Sequence, residues 1–346
     1  MSQRSHPLRA WPARRPRAAG FTLIEVLVAM TVGLAIMAAL ATMFAANSRQ
    51  QQEHQSTAQQ LESGRYVLDS LANDLRHAGF YGEFNPADLG PTYQDPDPCS
   101  LDPAAFGWNT AGAPIALPAA LRGTSADTLA CLENRLAGTE AITIRRVSTV
   151  EQTTASMAAG NLYVQVSRCP DDVQQLAAGT TVAAMALRNI ACTGVVDSVR
   201  RYVSRTYFVA RCNDCARGDG IPTLKRVEFI DGALRTTSIA EGIENLQLEY
   251  GLDTSATADG QADEFVAADE IDGTPAARAW PNVVAARIHL LSRNLEPSAG
   301  HQDARTYQLG RVTVTPATVS TATASYKRTL LTETVRLLNV GDRNDR

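Results

Sequence analysis

The chain has 346 residues, of which 45% are hydrophobic and 20% charged, a composition typical of a folded globular protein with a sizeable core. The formal net charge of −4 excludes the basic field on which nonspecific nucleic-acid binding depends, so no direct nucleic-acid partner is expected. The charge is uneven, because the first 20 residues carry five arginines and no acid, which leaves a formal charge of −9 on the rest.

A long apolar segment follows this basic N-terminus. From 21 to 46 the chain reads FTLIEVLVAMTVGLAIMAALATMFAA, with no proline and with Glu25 as its one charged residue. As a helix, these 26 residues would be about 39 Å long, which is enough to cross a bilayer. The arginines before the segment predict a cytoplasmic N-terminus and an exported body, with a single membrane pass.

Small residues, Ala18, Ala19 and Gly20, stand before this apolar segment. A cleaved secretory signal has its small-residue site after the apolar core, so a cut here would leave the helix on the mature chain. A plain signal anchor explains the arginines but not Glu25, because a carboxylate near the centre of a membrane helix costs ~2.5 kcal/mol or more and usually marks a functional position. The α-amino group freed on Phe21 could neutralise Glu25 of a neighbouring chain in a packed bundle.

The string Gly20-Phe-Thr-Leu-Ile-Glu25 resembles the type IV prepilin processing site. The resemblance implies a membrane aspartyl peptidase that cuts between Gly20 and Phe21 and N-methylates Phe21, and it implies that Glu25 serves in assembly. The chain departs from many major pilins at Thr42, which stands where those proteins have a proline. A helix break there is therefore less expected, although Gly33 remains a weak point in the helix.

The segment 47–79 is predicted to continue the helix outside the membrane. Polar residues come first, and then Leu61, Leu68, Leu71 and Leu75 form an apolar stripe at helical spacing. This pattern predicts an amphipathic helix that packs on a globular head and ends at Gly79.

Three later strings carry a narrower resemblance to PilW-type minor pilins. They are LANDLRHAGFY at 71–81, ENLQLEYG at 244–251 and VVAARIHLLSR at 283–293. Together with the processing site, they make the chain similar to a PilW-like minor pilin over its N-terminal 80 residues and parts of its last 110.

The remaining residues, 80–346, are predicted to form a β-rich head. The stretch 81–125, rich in Pro, Gly, Asp and Ala, predicts a long loop or an irregular subdomain, and 313–325 predicts an edge strand or a loop. In 246–250, Leu and Tyr alternate with Gln and Glu, which is typical of a strand with one buried face. The predicted fold class is α+β, a long N-terminal helix packed on an antiparallel sheet in a pilin-like arrangement. The predicted strands are 141–147, 161–167, 202–210, 224–230, 243–250, 283–291, 306–314 and 329–338.

Six cysteines lie beyond the apolar segment, and an even number in the part predicted to be exported indicates disulfides. Sequence does not choose among the pairings, and we expect neighbours to pair, as Cys99–Cys131, Cys169–Cys192 and Cys212–Cys215. The C-x-x-C at 212–215 is also compatible with a redox role or with half a zinc site. The chain has no second C-x-x-C and its five histidines are scattered, which favours a structural disulfide.

Other candidate sites are weaker. Asp253, Asp259 and Asp263, with Glu264, lie in one polar loop and are a weak calcium candidate, although their spacing does not match an EF-hand. No nucleophile elbow, Walker loop or dinucleotide fingerprint is present, and His289 is expected to be a surface or groove residue. We therefore predict no enzyme activity, no cofactor and no firm metal site.

The resulting prediction is a PilW-like minor pilin with a leader at 1–20, a transmembrane helix at 21–46, its amphipathic continuation at 47–79 and a head at 80–346. The resemblance implies as partners a prepilin peptidase, other minor pilins, the major pilin and an inner-membrane assembly platform. It also implies transfer from the inner membrane to a surface pilus, with a part in assembly initiation or the tip complex and, through the pilus, in adhesion, twitching motility or DNA uptake.

Three alternatives remain open. A type II secretion pseudopilin would share the processing site and Glu25. A membrane-anchored binding protein that never polymerises predicts no cleavage at Gly20 and tolerance of Glu25→Ala. An enzyme is the third alternative, and it lacks a catalytic constellation in the sequence.

Overall fold

The computed structural model describes residues 20–85, 89–125, 129–316 and 321–340. The arginine-rich part of the predicted leader, residues 1–19, lies outside the described residues. By its internal contacts the chain divides into two compact units, Met1–His54 and Gln55–Arg346.

One helix, α1 (Leu23–Arg76), runs for 54 residues. In the first unit every described residue up to Gln52 is exposed. In the second unit the helix buries one side, which includes Leu68, Leu71 and Leu75, as the leucine stripe predicted, whereas Leu61 is half-buried.

The amphipathic helix was predicted to reach 79, but α1 ends at Arg76 and residues 77–79 form turns. Gly79 takes a positive φ of 69°, a conformation that favours glycine after a helix. The side-chain amide of Asn339 donates a hydrogen bond to the carbonyl oxygen of Arg76 (3.0 Å), so the C-terminal end of the chain helps to cap the helix.

Antiparallel sheets make up most of the second unit, which confirms the predicted α+β class. Besides α1 the described residues include a short helix, α2 (Thr321–Ala324). The strands are β1 (Thr92–Gln94), β2 (Ala116–Pro118), β3 (Leu121–Thr124), β4 (Ala141–Val147), β5 (Tyr163–Val166), β6 (Leu176–Gly179), β7 (Val199–Ala210), β8 (Thr223–Ile230), β9 (Ala233–Glu241), β10 (Ile243–Leu252), β11 (Glu264–Val266), β12 (Val283–Arg293), β13 (Tyr307–Leu309), β14 (Val312–Val314) and β15 (Arg328–Arg336).

The strands form two main sheets. One has four strands in the order β11-β10-β12-β15 and the other has seven, with the path β3-β4-β7-β5-β6, while β8 pairs with β7 and β9 pairs with β8. All of these pairs are antiparallel. The two remaining sheets have two strands each, β1-β2, which is parallel, and β13-β14.

The largest core lies where α1 meets both main sheets. It contains Leu71 and Leu75 of α1, Ile142 of β4, Leu246 of β10 and Ile288 of β12, each 1% exposed or less. Burial of a large apolar side chain contributes about 1.5–3 kcal/mol, so this core is the main force that holds the second half of α1 on the sheets.

Two predictions for the head were wrong in detail. The segment 306–314 is a hairpin rather than one strand, because Gly310, with a φ of 59°, turns the chain between β13 and β14. The segment 313–325, predicted as an edge strand or a loop, contains the end of β14 and the helix α2, while its residues 317–320 lie outside the described residues. Strand β9 was not predicted, since most of its residues are exposed and it lacks the alternation that identifies a half-buried strand.

Candidate functional site at the start of the long helix

The N-terminus of α1 is capped by the side chains of Thr22 and Glu25. The hydroxyl oxygen Oγ1 of Thr22 accepts a hydrogen bond from the backbone N–H of Glu25 (3.3 Å). In return, Oε2 of Glu25 accepts bonds from the backbone N–H of Thr22 (3.3 Å) and from its hydroxyl (3.2 Å). This reciprocal pattern is a capping box, which satisfies two backbone donors at the start of a helix.

The capping box leaves part of Glu25 available to another partner. Both of its hydrogen bonds go to Oε2, and among the described residues Oε1 accepts none. A carboxylate at this position also interacts favourably with the positive end of the helix dipole. The site therefore holds an anion in a defined place at the helix start, with one oxygen open to a further donor.

The predicted cleavage position precedes this cap in a non-helical segment. Gly20 and Phe21 are exposed, and apart from its chain neighbours no described residue has an atom within 4 Å of the position that a Cβ on Gly20 would take. The apolar side chains that follow are exposed as well, among them Phe21 (83%) and Leu23 (82%). Judged only by length and composition, α1 can cross a membrane.

A second charged site, which the sequence prediction missed, lies near the other end of α1. The carboxylate of Asp74 accepts hydrogen bonds from the hydroxyl of Tyr207 (2.5 Å) and from Nη1 of Arg205 (2.9 and 3.0 Å), and Nη2 of Arg146 lies 3.5 Å away. Asp74 stands one residue before Leu75, beside the leucine stripe. An acid in that position was the available signal, because a charge on the apolar side of a helix needs a partner.

Burial by itself would raise the pKa of Asp74. The charge of Arg205, the hydrogen bonds from Tyr207 and Arg205, and the charge of Arg146 outweigh it and hold the pKa of this carboxyl below its ordinary value. The carboxylate is therefore ionised at neutral pH and ties α1 to β4 and β7.

Two residues of the calcium candidate form hydrogen bonds within their own loop. The carboxylate of Asp253 accepts a hydrogen bond from the backbone N–H of Gly260 (2.8 Å). The carboxylate of Asp263 accepts one from the backbone N–H of Thr254 (2.7 Å). Among the residues that the structure describes, the one group of three or more potential ligands within 4.8 Å is Cys169, Asp171 and Cys192, and both of its cysteines form a disulfide.

His289 is buried at 8% exposure, which corrects the expectation of a surface or groove residue. Its Nε2 lies 2.9 Å from Oε2 of Glu249, and its Nδ1 lies 3.3 Å from the hydroxyl of Thr332. Gly310 of the β13–β14 hairpin lies beside this pair. His289 therefore serves as a cross-strand polar contact under the hairpin.

The structure contains three disulfides, and they join the same neighbours that the sequence led us to expect. Cys99–Cys131, Cys169–Cys192 and Cys212–Cys215 have Cα–Cα separations of 5.4, 5.0 and 5.1 Å, all within the usual range. The bond between Cys212 and Cys215 closes a tight turn between β7 and β8, and no free cysteine is present among the described residues.

Comparison with known proteins finds two family models that match parts of the chain. Residues 15–41 match the model of the prokaryotic N-terminal methylation motif, and residues 206–339 match that of the type IV pilus-assembly protein W. No curated protein matches the chain. A solved type IV-like pilin from Thermus thermophilus is 12% identical in sequence. The match covers 58% of this chain and 78% of that one, with a TM-score of only 0.25.

The first match and the capped, exposed apolar helix together define a class: proteins with a prepilin-type methylation motif. The second match makes residues 206–339 similar to the PilW family of type IV pilus-assembly proteins, and that family is structural rather than enzymatic. The motif implies processing by a prepilin peptidase and anchoring in the inner membrane by α1 before pilus assembly.

Proposed function

We propose that this chain is a minor pilin that acts in pilus assembly initiation or in the tip complex. In this proposal the prepilin peptidase cuts between Gly20 and Phe21 and N-methylates Phe21, and the mature chain has 326 of the 346 residues. The head is bulky for a subunit repeated along a filament and is easier to place at a tip, where neighbours do not enclose it.

One observation carries the proposal: Glu25 stands at the capped start of an exposed apolar helix with one carboxylate oxygen free of hydrogen bonds among the described residues. The intramolecular cap lowers the cost of taking the carboxylate into the membrane, because two donors already solvate it. The methylated amine of a neighbouring subunit would then supply the missing counter-charge. Such a pair would fix the position of an incoming subunit along the filament axis.

The proposed topology has the N-terminus in the cytoplasm and the head outside the inner membrane, as basic residues before an apolar helix dictate. The proposed partners are the other minor pilins, the major pilin and the inner-membrane assembly platform. The match to the pilus-assembly W family favours this reading over a type II secretion pseudopilin.

The test replaces Glu25 and leaves the helix otherwise unchanged. Glu25→Ala is expected to insert and to be processed normally but to lower surface pili strongly, since the incoming amine has no counter-charge. Thr31→Ala is the matched control, because within the described part of the chain the Thr31 hydroxyl bonds only to the carbonyl oxygen of Val28 in its own helix. Unchanged pili in Glu25→Ala would rule out the charge pair.

Mass spectrometry of the N-terminus provides the second measurement. The protein isolated from membranes or pili is expected to begin at N-methylated Phe21, and a bulky replacement of Gly20 is expected to leave the full-length precursor. A chain that retains its arginine-rich leader would support the alternative, a membrane-anchored binding protein that does not polymerise.

A further inference from the structure

Five arginines share one face of the seven-stranded sheet beside the C-terminal part of α1. The register of the strands brings them together, because Arg146 pairs with Val203, Glu228 pairs with both Arg205 and Arg235, and Arg226 pairs with Tyr207. Alternate residues of a strand point to the same side, so all five side chains emerge on one face. We call this surface the arginine face: Arg146, Arg201, Arg205, Arg226 and Arg235.

Two carboxylates are interleaved with these arginines. Glu228 accepts hydrogen bonds from Nε of Arg205 (2.8 Å) and Nη2 of Arg201 (3.1 Å), and it lies 3.7 Å from Nη2 of Arg226. Asp74 of α1 pairs with Arg205 and Arg146, as described above. Five guanidinium groups and two carboxylates leave an excess of three positive charges on a surface of an otherwise acidic chain.

Several donors of the arginine face have no acceptor within the described part of the chain. Nε of Arg146, Nη1 of Arg201 and Nε of Arg226 are shielded from solvent and make no hydrogen bond there. A buried donor left unpaired costs about 1–3 kcal/mol, so these arginines have hydrogen-bonding capacity that Glu228 and Asp74 do not use. Arg235 is exposed and forms no ion pair with any described residue.

The neighbouring backbone is open as well. Strand β9 pairs with β8 alone, so its second edge is unpaired among the described residues. Residues 235–238 on this strand are all exposed. An exposed strand edge binds an extended polypeptide through main-chain hydrogen bonds.

We propose that the arginine face is a docking surface for an acidic, extended segment of another pilus subunit. Guanidinium groups match carboxylates in geometry, and the carboxylates of Glu228 and Asp74 already bridge two or more arginines each. Separate acidic side chains would continue this alternation, whereas the continuous charge of a nucleic-acid backbone would meet Glu228. The identity of the partner as a subunit rests on the proposed function.

The test measures binding of a fluorescent hexaglutamate peptide to the full-length protein in detergent. The wild type is expected to bind with an affinity that falls as salt rises. Arg235→Glu is expected to weaken binding about tenfold or more, the equivalent of one lost charge contact. Because Arg235 forms no ion pair with any described residue, this variant is expected to stay folded, with only a small fall in melting temperature from the new carboxylate opposite Glu228.

The matched control is Arg217→Glu in the β7–β8 loop. The Arg217 side chain is 86% exposed, and its Nε lies 3.1 Å from Asp214, so the control makes the same charge reversal away from the arginine face. Equal weakening in both variants would mean a general charge effect and would overturn the proposal. Two further results would overturn the proposal in favour of a phosphate ligand. One is that a single-stranded oligonucleotide binds more tightly than the peptide. The other is that inorganic phosphate competes at the same concentration as the peptide.

A measurement in cells separates this inference from the proposed function. Arg235→Glu is expected to be cleaved after Gly20 as usual but to co-purify less with other pilus subunits. If Glu25→Ala leaves pili unchanged while Arg235→Glu still weakens peptide binding about tenfold or more, the proposed function fails and the docking surface stands. If peptide binding is the same in the wild type and Arg235→Glu, the docking surface fails alone.

Discussion

Asp74 is a single buried charge that joins the long helix to the sheet behind it. It is 2% exposed and its nearest cation, Arg205, is 131 positions away in the chain. Loss of one partner from a buried ion pair is costly because the other charge stays behind without compensation. The stability of the contact between α1 and β7 therefore depends on this carboxylate.

Asp74→Asn is expected to lower the free energy of unfolding at pH 7 by about 3 kcal/mol, because Arg205 loses its counter-charge. Asp69→Asn, an exposed change on the same helix, is expected to have an effect of about 0.5 kcal/mol or less. The pKa of Asp74 is depressed, so its contribution is present above the ordinary aspartate range and is lost as the pH falls through the folded-state pKa. Urea unfolding measures the free energy of unfolding of both variants. Equal losses in Asp74→Asn and Asp69→Asn would contradict the role of Asp74 as a buried ion-pair partner.

Glu140 is a buried acid of the opposite kind. Its two carboxylate oxygens accept hydrogen bonds from the hydroxyl of Tyr250 (2.6 Å) and the backbone N–H of Leu248 (2.9 Å), so it joins the start of β4 to β10 of the other sheet. Burial raises the pKa of Glu140 to about 7, although both hydrogen bonds and the charge of Arg135 act in the other direction.

This raised pKa predicts a pH dependence of stability. Between pH 4.5 and about 7 the unfolded chain has lost the proton that the folded chain keeps, so the free energy of unfolding should fall as the pH rises through this window and level off above it. The total change is about 3 kcal/mol. Melting temperatures at pH 5 and pH 8 should differ less in Glu140→Gln than in the wild type, while the exposed control Glu133→Gln should keep the wild-type difference. An unchanged slope in Glu140→Gln would contradict the prediction.

At the scale of elements, Gly64 sets how closely α1 approaches the four-stranded sheet. A Cβ at this position would lie within 3.4 Å of Oγ of Ser292 on β12, and it would overlap Cδ1 of Leu331 on β15. The structure gives the physical reason for the glycine, which is the close contact between the helix and two strands.

Gly64→Val is expected to destabilise the head by about 1–3 kcal/mol, because the added atoms displace the Leu331 side chain on β15 and crowd Ser292 on β12. Ala58→Val is the matched control, since it places the same side chain at an exposed position of α1. It is expected to cost only the lower helix propensity of valine, about 0.5 kcal/mol. Chemical unfolding of the two variants checks this, and a control as unstable as Gly64→Val would refute the packing argument.

At the scale of the whole molecule, the disulfides of the head close loops of very different length. Cys99–Cys131 spans 32 positions and Cys212–Cys215 spans three. A cross-link stabilises mainly by restricting the unfolded chain, and the effect grows with the length of the closed loop.

Replacement of Cys99 and Cys131 by serine is therefore expected to cost about 4 kcal/mol, and replacement of Cys212 and Cys215 about 2 kcal/mol. Thermal unfolding of the two double variants under oxidising conditions tests this order. The reverse order would show that the short loop between β7 and β8 stabilises the native state through more than its closure entropy.

The sequence by itself determined the features that depend on near neighbours in the chain. The apolar run from 21 to 46 and the string around Gly20 predict a membrane helix and its processing site, because length, hydrophobicity and a six-residue string are local signals. Strand β10 was also predictable, since Leu246, Leu248 and Tyr250 are buried and the residues between them are not.

Only the tertiary structure decided which charges meet. The capping box joins residues three apart, so the sequence could have predicted it. The arginine face, in contrast, combines residues of β4, β7, β8 and β9. Asp74 of α1 likewise pairs with Arg205 of β7. The hairpin that buries His289 depends in the same way on where the chain folds back. An ion pair or a buried polar contact is set by distance in space, and that distance follows from the packing of the sheets on α1.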